Sequence, residues 1–212
     1  MAPDAAAGHE AGSPAPRSER PDLRTSDPSV MRALAHPLRM EILDILDDLD
    51  EATASEVAER TGQTVANCSF HLRSLEKAGF VERGAPRGRE KPWRPAHRNR
   101  DLRPDPTDLD SVTQAGAVGS VVVQREAARV VDVLSRGALS DPEWIDAVTI
   151  TTSRFWASAE EMKALALELQ RITDRFAGRG DDPSKRPEGA RVGRLFVTLN
   201  PEPDDAARGG QA

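Results

Sequence analysis

The chain has 212 residues, enough for one or two domains, and its formal net charge of -6 conceals an uneven distribution. Residues 27–62 hold three Arg against nine Asp and Glu, whereas residues 63–103 hold ten Lys and Arg against four Asp and Glu. A single cysteine, Cys68, excludes an intramolecular disulfide and fits a reducing cytosol. No apolar run is long enough to cross a bilayer and the start does not read as a secretion signal, so a soluble, cytoplasmic protein with no membrane partner is expected.

Residues 1–26 are poor in apolar side chains and rich in Pro and Ala, the composition of a disordered tail. Asp27 and Pro28 then open a helix, with Asp as cap and Pro at the first position. Val30, Met31 and Leu34 form its inner stripe. His36 and Pro37 break it at a junction, and Pro37 starts a second helix with Leu38, Ile42, Ile45, Leu46 and Leu49 inward.

Thr53 and Glu56 have the spacing of a capping box, which predicts a third helix. Thr61 and Gly62 stop it, since Gly takes a positive φ at little cost. A fourth helix runs from about Thr64, with Cys68, Leu72 and Leu75 on one face and Gly79 at its end. Ala58 four residues before Gly62, and Cys68 six after it, obey the packing rule of a helix-turn-helix. The other face of the fourth helix carries Thr64, Asn67, Ser69, Phe70, His71 and Arg73. These groups can donate to phosphate, read a base edge or touch a thymine methyl.

The period changes after Gly79. Residues 80–83 read as a strand, residues 84–89 as a Gly- and Arg-rich turn, and residues 90–95 as a return strand, with Pro92 and Pro95 arguing for a sheet edge. Trp93 is expected in the core. A basic hairpin directly after the second helix of the motif is a wing, so residues 27–103 are expected to form a winged helix domain. The basic run coincides with this motif and is therefore read as a nucleic-acid face rather than a merely solvated one.

Pro104 and Pro106 mark a connector. A long helix from about residue 109 to 136 has a centre of small residues, Ala115, Gly116, Ala117, Gly119 and Ser120, followed by Val121, Val122 and Val123. Such a seam is either an internal packing groove or a homodimer contact. Residues 147–156 are β-rich. Ser158 and Glu161 form a second capping box, and the helix they open has Met162, Leu165, Leu169, Ile172 and Phe176 on one face, with Gly178 at its end. Residues 192–199 alternate as a strand. The second domain, residues 109–200, is thus expected to be α+β, its two strands pairing with each other or across a dimer, and residues 201–212 to be a disordered tail. Trp144, Phe155 and Trp156 gather near its first strand, where they form either a small-molecule pocket or a packed core or dimer contact.

The fold class expected is mainly α with small β: an N-terminal winged helix-turn-helix plus a C-terminal α+β dimerisation or sensing domain. Residues 33–39, Ile42 and Leu43, residues 53–58, residues 69–72 and residues 75–81, in that order and spacing, resemble the ArsR-type winged-helix transcriptional regulators. The likeness covers about residues 27–97. It implies a dimeric regulator of double-stranded DNA that lays its second motif helix in the major groove and its wing near the flanking minor groove. By position it implies that Thr64, Val65, Asn67, Ser69, Phe70 and His71 face DNA and that Arg87 and Arg89 lie in the wing. Arg73, Lys77, Arg87, Arg89 and Lys91 are the expected backbone anchors. Repression by occluding a promoter is the expected outcome. The C-terminal half resembles a part found in a subset of these regulators, which leaves room for a small-molecule effector of unknown identity.

Cys68 and His71 are one turn apart, but a closed metal site needs about four ligands, so no metal or other cofactor is expected. No Gly-rich phosphate loop, nucleophile elbow or paired-His zinc signature occurs in the sequence, and the chain is not expected to be an enzyme. The alternatives are a winged-helix protein–protein adaptor, or a small-molecule-binding protein, without sequence-specific DNA readout.

Overall fold

A computed structural model of the chain describes residues 20–88, 90–135, 142–180 and 182–202. The chain divides into two units, Met1–Asp132 and Val133–Ala212. The first is built around four short helices. Asp27 accepts from the Ser29 N–H at 2.7 Å and opens α1 (Pro28–Leu34). His36 caps α2 (Pro37–Leu49), its Nδ1 accepting from the Leu38 N–H at 3.2 Å, so it is the junction residue expected. The helices α3 (Ala54–Thr61) and α4 (Val65–Lys77) form the helix-turn-helix, with Gly62 between them at φ +65°. A side chain would strain that left-handed turn.

The core of this unit holds Met31 and Leu34 from α1, Ile42, Leu43 and Leu46 from α2, Val57 and Ala58 from α3, and Cys68, Leu72 and Leu75 from α4; Leu43 was not among the expected inward residues, Leu38 and Ile45 are half-buried, and the expected inward Leu49 is exposed. Each fully buried leucine or isoleucine here contributes about 1.5–3 kcal/mol of transfer free energy. Phe80 and Trp93 close the core from the wing side, Trp93 as expected.

The wing pairs β2 (Val81–Arg83) antiparallel with β3 (Trp93–Pro95), matching Val81 with Pro95 and Arg83 with Trp93. The β3 strand lies in a two-stranded sheet, in keeping with the edge reading of its prolines, and carries one isolated bridge on its other side. Trp93 also exchanges hydrogen bonds with Ala52, 2.8 and 2.9 Å long. The prolines flank the one residue whose N–H this bridge needs, so neither removes a required donor. Gly84 sits at the base of the hairpin, where a Cβ would meet the Glu51 carboxylate at 3.0 Å and the Pro92 ring at 3.2 Å.

A second small sheet was not legible in the sequence. β1 (Leu23–Thr25) runs parallel to β4 (Arg100–Leu102). The expected disordered tail therefore ends before Leu23 rather than at Ser26; residues 1–19 lie outside the described residues. The tail composition was misleading because this strand is held by its partner and by ion pairs from Asp22 to Arg98, 3.0 Å, and from Arg20 to Asp50, 2.7 Å.

The long helix α5 (Leu109–Ser135) starts as expected. Ser111 and Val118 are buried and Ala115 and Val122 pack on the core of the first unit. Ser111 Oγ donates to the Ser26 carbonyl at 2.6 Å and accepts from the Asp105 N–H at 3.0 Å. Gly116 and Gly119 lie on the opposite, exposed face, and a Cβ added at either would meet nothing within 4 Å. The small residues are thus not all an internal groove.

In the second unit α6 (Ala159–Arg171) carries the predicted capping box, with Ser158 N–H on Glu161 Oε2 at 2.8 Å. The helix ends before the expected Gly178, and a 3-10 turn at Asp174–Phe176 leads to that glycine at φ +80°. The segments expected as strands, residues 147–156 and 192–199, form no ladder among the described residues: Ala147 closes a 3-10 turn, Ile145–Ala147, and the rest is irregular. The alternating pattern describes side chains, whereas a ladder also needs a neighbouring backbone. The fold remains mainly α with small β, its regular C-terminal elements being helical. The expected C-terminal tail lies outside the described residues from 203 onward. Among the described residues no helix is long and apolar enough to cross a membrane.

Candidate nucleic-acid interface

The outward surface of α4 is set by the four residues it buries. With Cys68, His71, Leu72 and Leu75 inward, the helical period turns Val65, Ala66, Phe70, Arg73 and Lys77 outward, with Ser69 half-buried beside them. Phe70 is 58 % exposed and Val65 48 %, so two large apolar groups stand in water on a helix that is otherwise well packed. Arg73 and Lys77 are exposed, and among the described residues neither has an acidic partner. The face therefore offers cations for phosphate, a hydroxyl for a base edge, and apolar surface for sugar or a thymine methyl.

Thr64 is the N-cap of α4, its Oγ1 accepting from the Asn67 N–H at 3.2 Å. It is exposed, and its hydroxyl proton remains available to donate outward. Asn67 is half-buried, and its Nδ2 donates to Gln63 Oε1 at 3.1 Å. Gln63 and Ala66 share this end of the helix and were not singled out from the sequence. Ala66 could have been found there, since it lies one turn before Phe70 and between the predicted contacts.

His71 is a correction. Counted among the DNA-facing residues but at the edge of the inward face, it is only 6 % exposed, its ring centroid 4.5 Å from that of His36. Burial first, then the His36 ring and the Arg39 guanidinium, lower its pKa, and burial followed by Arg39 lowers that of His36. These shifts favour the neutral form of both rings. The physical reason for the inward turn is that α1 and α2 meet at His36, over the same flank of α4, and an imidazole fills the space there.

The wing contributes differently from expectation. Arg87 donates to both carboxylate oxygens of Glu56 at 2.6 Å, so it is tied down rather than free. Glu90 accepts from Ser55 Oγ at 3.0 Å on the same side, which folds the hairpin tip against the start of α3. Glu56 is held below the usual carboxylate range first by the Thr53 N–H, with Thr53 and Arg87 side chains adding to it. Lys91 is exposed, and Arg89 lies outside the described residues. Arg83 lies over Trp93, 3.4 Å from the ring centroid, and reaches Glu76 at 3.6 Å, so it braces the wing base. Among the described residues no group of three or more His, Cys, Asp or Glu is placed to hold a metal ion.

Two solved structures from Mycobacterium bovis resemble this part of the chain. One is a homodimeric winged helix-turn-helix DNA-binding domain described as a possible ArsR-family transcriptional regulator, 23 % identical, with a TM-score of 0.31, covering 48 % of this chain and 76 % of that one. The other is a fragment of a possible transcriptional regulatory protein, also 23 % identical with a TM-score of 0.31, covering 48 % of this chain and 88 % of that one. Their dimeric state and regulatory descriptions belong to those proteins. No curated protein matches the sequence. Residues 34–84 match the family model described as a helix-turn-helix domain. That segment spans α2, α3, α4 and β2, so the family model covers the helix-turn-helix seen in the structure.

Proposed function

We propose that the chain is a homodimeric transcription regulator, a repressor that occludes promoter DNA, with α4 in the major groove and the wing on the flanking backbone. The observation that carries this reading is the outward face of α4. Two unpaired cations, Arg73 and Lys77, flank an uncovered Phe70 and the hydroxyl of Ser69 on a single helical surface. Thr64, Val65 and Asn67 extend the surface to the helix start, where base contacts are commonly made. Arg73, Lys77 and Lys91 serve as backbone anchors, joined by Arg89 and, once released from Glu56, by Arg87. His71 acts from behind, by packing.

The exposed stripe of α5 supports the dimer. Gly116 and Gly119 each cost about 1 kcal/mol relative to Ala in a helix interior. Among the described residues nothing lies within 4 Å of a Cβ added at either, and Val112 and Val123 on the same stripe are 42 % and 43 % exposed. A second helix lying close against this stripe explains both features. The winged-helix adaptor reading leaves Arg73, Lys77 and Phe70 without a role. A small-molecule effector would belong to the C-terminal unit.

The test is selection of genomic DNA fragments by the purified full chain at two salt concentrations, followed by sequencing. Recovery of a palindromic motif whose enrichment falls with salt is the expected result. Equal recovery of all fragments at both salts refutes specific readout.

A further inference from the structure

No described residue of the C-terminal unit from 142 to 202 is buried. Its apolar side chains are nonetheless numerous: Trp156 is fully exposed, Val192 93 % and Ile150 72 %. A chain segment that buries none of its large apolar groups has no core of its own, and such a unit is completed by association.

Two stretches show how. Residues 148–157 and 191–202 each run without helix, turn or bend. The Thr149 and Thr151 hydroxyls lie 3.3 Å apart, as on one face of a strand. The stretches run in the same direction. Arg191, at the start of the second, stands 4.8 Å over the ring of Trp144, just before the first. Arg154, near the end of the first, donates to Glu202 at the end of the second at 2.9 Å. Long side chains thus tie them at both ends, yet among the described residues no backbone hydrogen bond joins them.

We propose that the strand belonging between them is residues 148–157 of a second copy of this chain. A two-fold axis perpendicular to the sheet makes that strand antiparallel to its own counterpart. It is then antiparallel to residues 191–202 as well, because the two stretches of one chain are parallel. The sheet order is residues 191–202, the second copy's 148–157, the first copy's 148–157, and the second copy's 191–202. Every neighbour is antiparallel, at the usual spacing of about 4.8 Å. Direct closure of the two stretches would instead give an isolated two-stranded parallel ladder, the weaker pairing, with both edges open. A strand from a different protein would fill one slot and leave the outer edge of residues 148–157 bare, whereas a second copy fills both slots reciprocally. Leu195, Val197 and Leu199 line a groove of about 420 Å³ together with Ala166 and Leu169 of α6.

This inference rests on the dimer proposed above and not on DNA readout. It is tested in the full chain by measuring mass in solution and by single substitutions Thr151→Cys, Thr152→Cys and Ser153→Cys near the expected axis. Glu160→Cys on α6 serves as the collision control, and the native Cys68 is buried. The expected result is a dimer that converts to covalent dimer on mild oxidation in at least one of the three strand variants and not in the control. A monomer at all concentrations overturns both the dimer and the sheet. A dimer that none of the three cysteines links, or that the control links equally, overturns the sheet alone.

Discussion

Arg87 at the wing tip donates to both oxygens of Glu56, the residue whose carboxylate also accepts from the Thr53 N–H at 2.7 Å. One carboxylate therefore caps α3 and restrains the wing. The pair is about half exposed, so its contribution to stability is small, about 0–1 kcal/mol. Its effect on binding is larger in consequence, because a restrained arginine is withheld from phosphate. Glu56→Gln keeps a side-chain acceptor for the cap and releases Arg87. Affinity for random DNA is expected to rise a few-fold and the slope of log K against log salt to steepen by about 0.9, the increment for one added phosphate contact. Titration at several salt concentrations checks this; an unchanged slope refutes it.

Arg73 and Asn67 occupy the same helix but should fail in different ways. Arg73→Ala removes an unpaired exposed cation, so binding to preferred and random DNA should weaken alike and the salt dependence flatten. Asn67→Ala should weaken the preferred site by about 1–3 kcal/mol and leave random DNA nearly unaffected. Competition assays with both DNA types separate the outcomes. Equal loss on both for Asn67→Ala removes it from the base readers.

The rings of half-buried His36 and buried His71 meet at a tilt of 42°, and both have lowered pKa values. A lowered folded pKa means that the unfolded chain binds protons first as pH falls. The contribution of the pair is complete above the ordinary histidine value of about 6.5 and declines below it, toward the depressed folded values. Melting temperature should therefore drop between pH 7 and pH 5 in the native chain. In His71→Gln, which lacks the titrating ring, the drop should be shallower. Parallel slopes in the two proteins would refute the role of His71.

Ser111 has its hydroxyl committed at both ends, to the Ser26 carbonyl and the Asp105 N–H. Ser111→Ala leaves the Ser26 carbonyl and the Asp105 N–H without this partner. A loss of about 1–3 kcal/mol is expected from urea unfolding, with an unchanged m-value. A loss below a few tenths of a kcal/mol would mean that α5 does not depend on this link.

The helix-turn-helix was legible because its determinants are local. The Thr53–Glu56 cap, the turn at Gly62 and the three- and four-residue spacing of Cys68, Leu72 and Leu75 act within a few residues of one another. The same rules opened α1 at Asp27 and α6 at Ser158. His71 was misplaced because the period puts it at the margin of the buried face, and only the neighbouring His36 decides which way a marginal residue turns. The short β1 strand was missed because three residues carry too little pattern to outweigh a tail-like composition.

By itself, then, the sequence determined which segments are helical, where they are capped, which faces go inward and where positive charge accumulates. These depend on short-range sterics, capping and the burial of apolar stripes. Tertiary structure alone decided that Arg87 is held by Glu56, that Leu23–Thr25 pairs with Arg100–Leu102, and that Trp93, opposite Arg83, exchanges its hydrogen bonds with Ala52. It also decided that no backbone ladder joins the two C-terminal stretches among the described residues. Each of these is a contact between residues distant in sequence, and its free energy depends on a partner that no local window contains.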